Sequence, residues 1–218
     1  MFTLIVALLA LTTTTPYATA KVIPINETKK ASVVAEEKIP IVPFYSQFKD
    51  ITSQSWKKVG CGITDVAMVI DYYTDAVPVD TLLQQGINAG AYLSNAGWTY
   101  KGLIHVAKKY GLEGTSYDFG RLSSKIAFEK FTTHLKDGPV IASVHYKFDP
   151  KSTIPHLVVI TGMKGDTLYY NDPAAKEGNK QISTADFLAA WKKRYIVIRP
   201  IEGKITALPI TLSAARTV

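Results

Sequence analysis

A lone cysteine, Cys61, stands between two glycines at the head of a helical pattern in the stretch GCGITDVAMVIDYY. A cysteine attacks as its thiolate, and the unpaired N–H groups and dipole of a helix N-terminus favour that form. One cysteine cannot form an internal disulfide, so Cys61 is an inert buried residue, half of an intermolecular bridge or a reactive thiol. The flanking Gly60 and Gly62 let other groups approach its backbone closely, which suits a reactive thiol.

A nucleophilic cysteine needs a base, and the chain offers four histidines. His105 and His134 lie in helical patterns, where a surface position is the simpler interpretation. His145 ends a predicted strand and is a rival for the role. His156 begins the strand HLVVITG, and we favour it because the same stretch supplies a carboxylate partner.

The segment HLVVITGMKGDTLYYND predicts a β-hairpin that brings His156 to Asp172. Three-residue hairpin loops end in a left-handed residue, and Gly165 fits that position of a Met163–Gly165 loop. His156 then lies directly opposite Asp172 on one face of the sheet, with Cβ atoms about 5 Å apart. A two-residue Lys164–Gly165 loop would put the two side chains on opposite faces. We therefore predict the three-residue loop.

Hydrophobic periodicity indicates the elements that position these residues. Apolar residues at i, i+3, i+4 and i+7 predict a mostly buried helix that begins at Cys61. Other patterns predict helices at 98–111, 125–138 and 184–194, and strands at 139–147, 156–162, 166–172 and 195–200. The proline-containing residues 39–47 form an edge strand or loop, and the Gly- and Asn-rich residues 84–97 form a connection. Helices followed by antiparallel strands predict an α+β domain.

Three stretches, GCGITDVAMVIDYY, HLVVITGMKGDTLYYNDPA and FLAAWKKRYIVI, resemble the C39-like cysteine peptidases, papain-fold relatives of bacteriocin-processing proteases. The resemblance runs from about Ile39 to Pro200, and its most specific part is the His-bearing strand followed by Asn171-Asp172-Pro173. It implies a papain-like α+β fold in which an N-terminal helix carrying the cysteine packs on an antiparallel sheet carrying His and Asp.

The resemblance also implies which residues catalyse. Carried over, Cys61, His156 and Asp172 form the catalytic set, and Gln47 in PFYSQ helps to form the oxyanion hole. Gln54 is an alternative to Gln47. The chain departs from the common family pattern, which has Pro and Ser at positions 63 and 65, where this chain has Ile and Asp. The Asp65 charge suits the helix dipole but opposes a nearby thiolate.

The N-terminal residues of the chain predict an exported protein. Residues 1–20 combine an apolar run with a small-x-small pattern that ends at Ala20, as in a signal peptide, and the run is too short for a membrane span, which takes about 20 residues. Residues 21–38 are a linker or leader, 39–200 the peptidase domain, and 201–218 a tail. We expect a monomer that is secreted or associated with the cell wall.

The formal charge of +7 comes mostly from scattered pairs of basic residues, which predict a solvated surface. Affinity for an anionic partner such as a cell wall is the alternative. No nucleic-acid-binding motif accompanies the charge. We predict no cofactor and no metal, because spacings such as HExxH and CxxC do not occur.

These observations together predict a secreted cysteine peptidase that cleaves peptide or protein substrates through a thioester. The alternatives are a cell-wall peptide amidase on a related fold, a non-catalytic papain-like binding module, and a wall-associated structural protein with an inert Cys61. Fusion to a transporter, as in the processing proteases, is not expected, since neither a membrane span nor a phosphate-binding loop is present.

Overall fold

The computed structural model describes residues 39–94 and 96–202. The helices in these residues are α1 (Gln54–Lys57), α2 (Cys61–Tyr73), α3 (Val79–Asn88), α4 (Tyr100–Lys108), α5 (Ser124–Leu135) and α6 (Thr184–Ala190). The strands are β1 (Tyr92–Leu93), β2 (Gly97–Trp98), β3 (Leu112–Asp118), β4 (Val140–His145), β5 (Pro155–Lys164), β6 (Thr167–Asn171), β7 (Lys180–Ser183) and β8 (Trp191–Pro200). None of the helices in the described part is long and apolar enough to cross a membrane.

Six strands form one antiparallel sheet in the order β3-β8-β4-β5-β6-β7, and β1 pairs with β2 in a separate ribbon. Because side chains alternate across a strand, β5 divides two apolar cores. Leu157 and Val159 pack with residues of α2, α3 and α4. Val158 and Ile160 pack on the opposite face with residues of α5 and α6. The predicted α+β arrangement, a cysteine-bearing helix on an antiparallel sheet, is confirmed.

Helix α2 is buried along most of its length, as predicted. Its residues from Gly62 to Ile70 are all inaccessible to solvent or nearly so. The first turn is fixed by Thr64, whose backbone N–H and hydroxyl both donate to the Gly60 carbonyl. Burial of each large aliphatic side chain contributes about 1.5–3 kcal/mol, so this helix anchors Cys61 firmly against the sheet.

The predicted helix over 184–194 is wrong in its second half. Helix α6 ends at Ala190, and β8 begins at Trp191. Trp191 pairs with Val144 of β4, and Arg194 pairs with both β4 and β3. Sheet pairing and the burial of Trp191 override the local helical pattern.

Residues 84–97 are not a simple connection, because they contain the end of α3 and the β1–β2 ribbon. Strands β3 and β7, the short helix α1 and helix α3 were not predicted. Residues 39–47 form no strand, so the loop alternative holds there. Asn171 ties this segment to the sheet, since its Nδ2 donates to the carbonyls of Val42 and Pro43 at 3.0 and 3.2 Å.

The predicted loop of the β5–β6 hairpin is also wrong. Two residues, Gly165 and Asp166, join the strands, and Gly165 supplies a positive φ of 57°. With an unbroken register, this loop would leave His156 and Asp172 on opposite faces. A β-bulge at Thr161 shifts the register by one residue and restores them to the same face.

Beyond the bulge, Val159 pairs with Asn171. At the next position along the two strands, Val158 therefore lies opposite Asp172. His156 lies two residues before Val158, so it is a diagonal neighbour of Asp172 rather than directly opposite it. Diagonal neighbours remain within reach of long side chains.

Candidate active site

Cys61 is the first residue of α2 and is half-buried at the wall of a cleft of about 940 Å³. The next residue, Gly62, allows the helix to begin this close to its neighbours. A Cβ on Gly62 would lie 3.0–3.1 Å from Leu103, Leu157 and Trp98. The close packing that the flanking glycines predict is therefore present, and it holds the cysteine at the edge of the cleft.

His156 and Asp172 meet as the sequence predicts, although by a different register. The His156 Nε2 atom lies 2.7 Å from Asp172 Oδ1. The same oxygen accepts a hydrogen bond of 2.8 Å from the backbone N–H of Ala174, which fixes the carboxylate. The Tyr146 ring packs edge-on against the imidazole, with the ring centroids 5.2 Å apart.

Cys61 lines the same cleft as His156, and its side chain acts on the pKa of the imidazole through hydrogen bonding and negative charge. Burial lowers the pKa of His156, but the hydrogen bonds to Asp172 and Cys61 and their negative charges outweigh it and raise the pKa to about 10. The protonated ring is therefore favoured between two acidic groups, as in a thiolate–imidazolium pair.

Of the two candidate glutamines, Gln47 lies at the site. It is 3% exposed and lines the cleft together with Cys61. Its Nε2 donates to the Lys57 carbonyl at 2.7 Å, which leaves a second N–H on that nitrogen. Its backbone N–H donates to the Pro173 carbonyl, next to Asp172, at 2.8 Å. Gln54 is exposed on α1 and is not part of the cleft wall.

Asp65 lies one turn beyond Cys61 on the buried side of α2. It has no exposed surface, and neither carboxylate oxygen has a hydrogen-bond partner among the described residues. Burial raises the pKa of Asp65 well above 3.8, and the charges of Cys61 and Asp172 raise it further against the opposing effect of His156. The carboxyl group thus keeps its proton to a higher pH than an exposed aspartate, which weakens the predicted opposition to a thiolate.

The cleft walls come from distant parts of the chain. Trp98 and Tyr92 of the ribbon pack edge-on against each other, with centroids 5.3 Å apart. The Trp98 Nε1 donates to the Val59 carbonyl at 2.7 Å, which fixes this wall beside the start of α2. On the other side, Tyr100 of α4 and Ser143 of β4 line the cleft.

The remaining histidines take no part in the site. The His134 Nδ1 lies 2.9 Å from the Tyr195 hydroxyl. The His145 Nδ1 lies 2.6 Å from the Ser152 carbonyl. His105 is exposed on α4. Within residues 39–94 and 96–202, no three His, Cys, Asp or Glu side chains are grouped as metal ligands.

The burial of Asp65 and the positions of the basic residues Lys192 and Arg194 on the cleft wall were not predicted from the sequence. The spacing of Asp65 from Cys61, four residues on one helix, was the available signal, because such residues share a face. The two basic residues gave no such signal, since the sequence pattern placed them in a helix.

The chain was compared with known protein families, curated proteins and solved structures. The family model described as Peptidase_C39 like family matches residues 39–199. No curated protein matches the chain significantly. A double glycine motif protease from an AMS/PCAT transporter, solved with its leader peptide, is 26% identical, with a TM-score of 0.53 over 76% of this chain and 96% of that one.

Two further structures show the same fold. A C39-like peptidase from Bacillus anthracis is 20% identical, with a TM-score of 0.54 over 72% of this chain and 94% of that one. The peptidase domain of Streptococcus ComA is 22% identical, with a TM-score of 0.51 over 66% and 93%. Since the family match spans most of the described residues and well over half of the sequence, the chain belongs to the Peptidase_C39 like family of cysteine-type peptidases.

Proposed function

We propose that this protein is a secreted peptidase that cleaves peptide bonds with Cys61 as nucleophile, His156 as acid and base, and Asp172 as the group that orients His156. The observation that carries the proposal is that His156 is bound to Asp172 at 2.7 Å and lines an open cleft together with Cys61, which raises the pKa of His156. This is the nucleophile–base–orienter arrangement of acyl-transfer enzymes.

In the first step, the Cys61 proton resides on His156, and the Cys61 sulfur attacks the substrate carbonyl carbon. The carbonyl oxygen takes up the negative charge. The free N–H of Gln47 Nε2 and the Cys61 backbone N–H are the candidate donors to this oxyanion, and donors placed in advance stabilise the transition state strongly. His156 then gives its proton to the leaving amine, and the C–N bond breaks to leave a thioester on Cys61.

In the second step, His156 removes a proton from a water molecule, which attacks the thioester carbonyl. The C–S bond breaks, the carboxylic acid product leaves, and the proton returns to the Cys61–His156 pair. Asp172 keeps the ring oriented throughout, because its Oδ1 is itself fixed by the Ala174 N–H. Water enters as the only co-reactant.

The substrate is proposed to be an extended peptide. The cleft has the volume that peptide-sized ligands need, and the 26% identical relative is a double glycine motif protease solved with a leader peptide. Peptides with a Gly-Gly pair before the scissile bond are therefore the first to test. Cell-wall peptides remain the alternative substrate class.

Export is part of the proposal and rests on the sequence of residues 1–20, which lie outside the described residues. We expect cleavage after Ala20. N-terminal sequencing of the protein from the culture medium of an expressing cell should begin at Lys21. A start at Met1 in the cell fraction alone would contradict export.

The peptidase activity is tested with fluorogenic peptides that end in Gly-Gly-aminomethylcoumarin, and with purified peptidoglycan in parallel. Wild-type protein should release the fluorophore, while Cys61→Ala and His156→Ala should lose at least about 10³-fold in kcat/KM. His145→Ala is the matched control and should retain activity. Cleavage of peptidoglycan alone would favour the amidase. The absence of both activities would contradict a hydrolase role.

A further inference from the structure

A row of cross-strand partners leads away from the catalytic centre along the floor of the cleft. Leu157, next to His156, pairs with Ser143, Ser143 pairs with Arg194, and Arg194 pairs with Asp118. All four residues line the cleft. Neighbouring strands lie about 4.8 Å apart, so the Arg194 backbone is about 10 Å from that of Leu157. An extended peptide covers this distance with about three residues.

A bulge in β8 adds a second basic side chain to this end of the cleft. Trp191 pairs with Val144 and Arg194 with Ser143, so Lys192 and Lys193 are extra residues in the ladder. Lys193 has a φ of 55°, in the left-handed region that non-glycine residues avoid. Bulges next to active sites re-aim side chains.

The two lysines of the bulge have different environments. Lys193 donates from Nζ to the Leu122 carbonyl at 2.8 Å. Lys192 lines the cleft, and burial together with the nearby Arg194 charge lowers its pKa. In the described part of the chain, Lys192 has no carboxylate or carbonyl partner. A negatively charged ligand group between Lys192 and Arg194 would therefore relieve the repulsion between them.

The charges of the cleft wall are unbalanced. Besides the Cys61–His156 pair, three cations, Lys58, Lys192 and Arg194, line the cleft together with one carboxylate, Asp118. Asp118 accepts from the Arg194 Nε at 2.9 Å. The terminal nitrogens of Arg194 remain available, and a guanidinium binds carboxylates well through several parallel donors. A substrate carboxylate fits this end of the cleft, and a substrate ammonium group does not.

We propose that the cleft selects peptides with an acidic side chain about three residues from the scissile bond, bound by Lys192 and Arg194. The proposal rests on the proposed function, in that it takes the ligand of this cleft to be a peptide. It assigns to the bulge in β8 the role of a specificity element.

The test measures peptide binding rather than cleavage, by calorimetry on the Cys61→Ala protein. The probes are twelve-residue peptides of Ala and Ser with a central Gly-Gly and one Glu, Gln or Lys placed two, three or four residues to either side. At one of these positions the Glu peptide should bind about tenfold more tightly than the Lys peptide in 25 mM salt. The ratio should fall in 300 mM salt, because salt screens exposed charges.

Neutral substitutions at the basic and acidic residues of the cleft wall make the test more specific. Lys192→Gln and Arg194→Gln should each reduce the Glu-to-Lys ratio to about threefold or less, and Asp118→Asn should increase it. Lys101→Gln removes the same charge from an exposed position on α4, outside this cleft, and should leave the ratio unchanged.

The proposal is overturned if Glu, Gln and Lys peptides bind within twofold of one another at every position, if none binds at millimolar concentration, or if Lys192→Gln and Arg194→Gln leave the ratio unchanged. Failure of the proposed function gives a different result. In that case acid-selective binding to Cys61→Ala would persist, and the wild-type protein would cleave none of the peptides.

Discussion

His156 is the residue on which the proposed site depends, because two acidic groups, Asp172 and Cys61, act on its ring. Its Nε2 is bound to Asp172, and Cys61 lines the same cleft and raises the pKa of His156. The types and order of these three residues could be predicted from the sequence, since a helix-initial cysteine and a strand-borne histidine are recognisable locally. The spacing of Asp65 from Cys61 indicated a shared helix face, but the complete burial of Asp65 depends on the elements that cover α2.

Gln47 provides a test of the proposed oxyanion hole. Gln47→Ala removes one donor, so kcat should fall by about 10²–10³-fold. The rate of Cys61 alkylation by iodoacetamide should not change, because that reaction develops no carbonyl oxyanion. Gln54→Ala is the matched control, since Gln54 is exposed on α1, and its kcat should equal that of wild type. Equal losses in the two variants would contradict the assignment.

Asp65 provides a test of buried charge through stability. Its pKa is raised in the folded state, so above pH 3.8 the unfolded chain releases this proton more readily than the folded one. Stability then falls as pH rises, until the folded group ionises, by at most about 1.4 kcal/mol per pH unit. Asp65→Asn removes this loss, so its stability relative to wild type should increase from pH 5 to pH 8.

Urea denaturation of both proteins at several pH values measures this difference. Asp75→Asn, at an exposed position just after α2, is the control and should show a constant offset from wild type. A constant offset for Asp65→Asn as well would contradict a buried, proton-retaining carboxyl group.

At the level of elements, two bulges determine which side chains enter the cleft. The bulge at Thr161 brings His156 to the face of Asp172, and the bulge in β8 introduces Lys192. Neither could be predicted, because a bulge adds one or two residues without a distinctive sequence signal. The sequence predicted that His156 and Asp172 meet, although the predicted loop was wrong. The shorter loop shifts the strand register by one residue, and the bulge at Thr161 shifts it again, so the two side chains still share a face.

The segment that carries Gln47 is held to the sheet by Asn171, which is 2% exposed. Its Nδ2 donates to the Val42 and Pro43 carbonyls, and its Oδ1 accepts from the Asn179 N–H at 2.7 Å. Asn171→Ala should reduce the free energy of unfolding by about 3 kcal/mol, because it removes three hydrogen bonds and leaves buried backbone groups unpaired.

The activity of Asn171→Ala should also fall, since a loosened segment misplaces Gln47. The exposed Gln181→Ala on β7 is the control and should change stability by less than about 0.5 kcal/mol. Denaturation curves and kcat for both variants test the prediction. An unchanged midpoint for Asn171→Ala would show that the segment is held by other contacts.

For the whole molecule, the order and type of the main elements followed from hydrophobic periodicity. Helices α2, α4 and α5 and strands β4, β5 and β6 lie where the pattern predicts them. Strands β3 and β7 were missed because both are edge strands with mixed polar residues, and edge strands lack the continuous apolar run of central ones. The sequence shows an excess of basic residues but not where they lie in the fold. The structure places two of them, Lys192 and Arg194, on the cleft wall.

The central claim is that Cys61 and His156 form a thiolate–imidazolium pair. The most direct measurement is the pH dependence of Cys61 alkylation by iodoacetamide, in the wild-type protein, in His156→Ala and in the control His145→Ala. The pKa of His156 is raised to about 10, so the ring is positively charged below pH 6 and favours a negatively charged Cys61 nearby. Alkylation below pH 6 should therefore be rapid in wild type and in His145→Ala, and slow in His156→Ala. Slow alkylation that rises only near pH 8.5, about the value of an ordinary thiol, and that is the same in all three proteins would contradict the account.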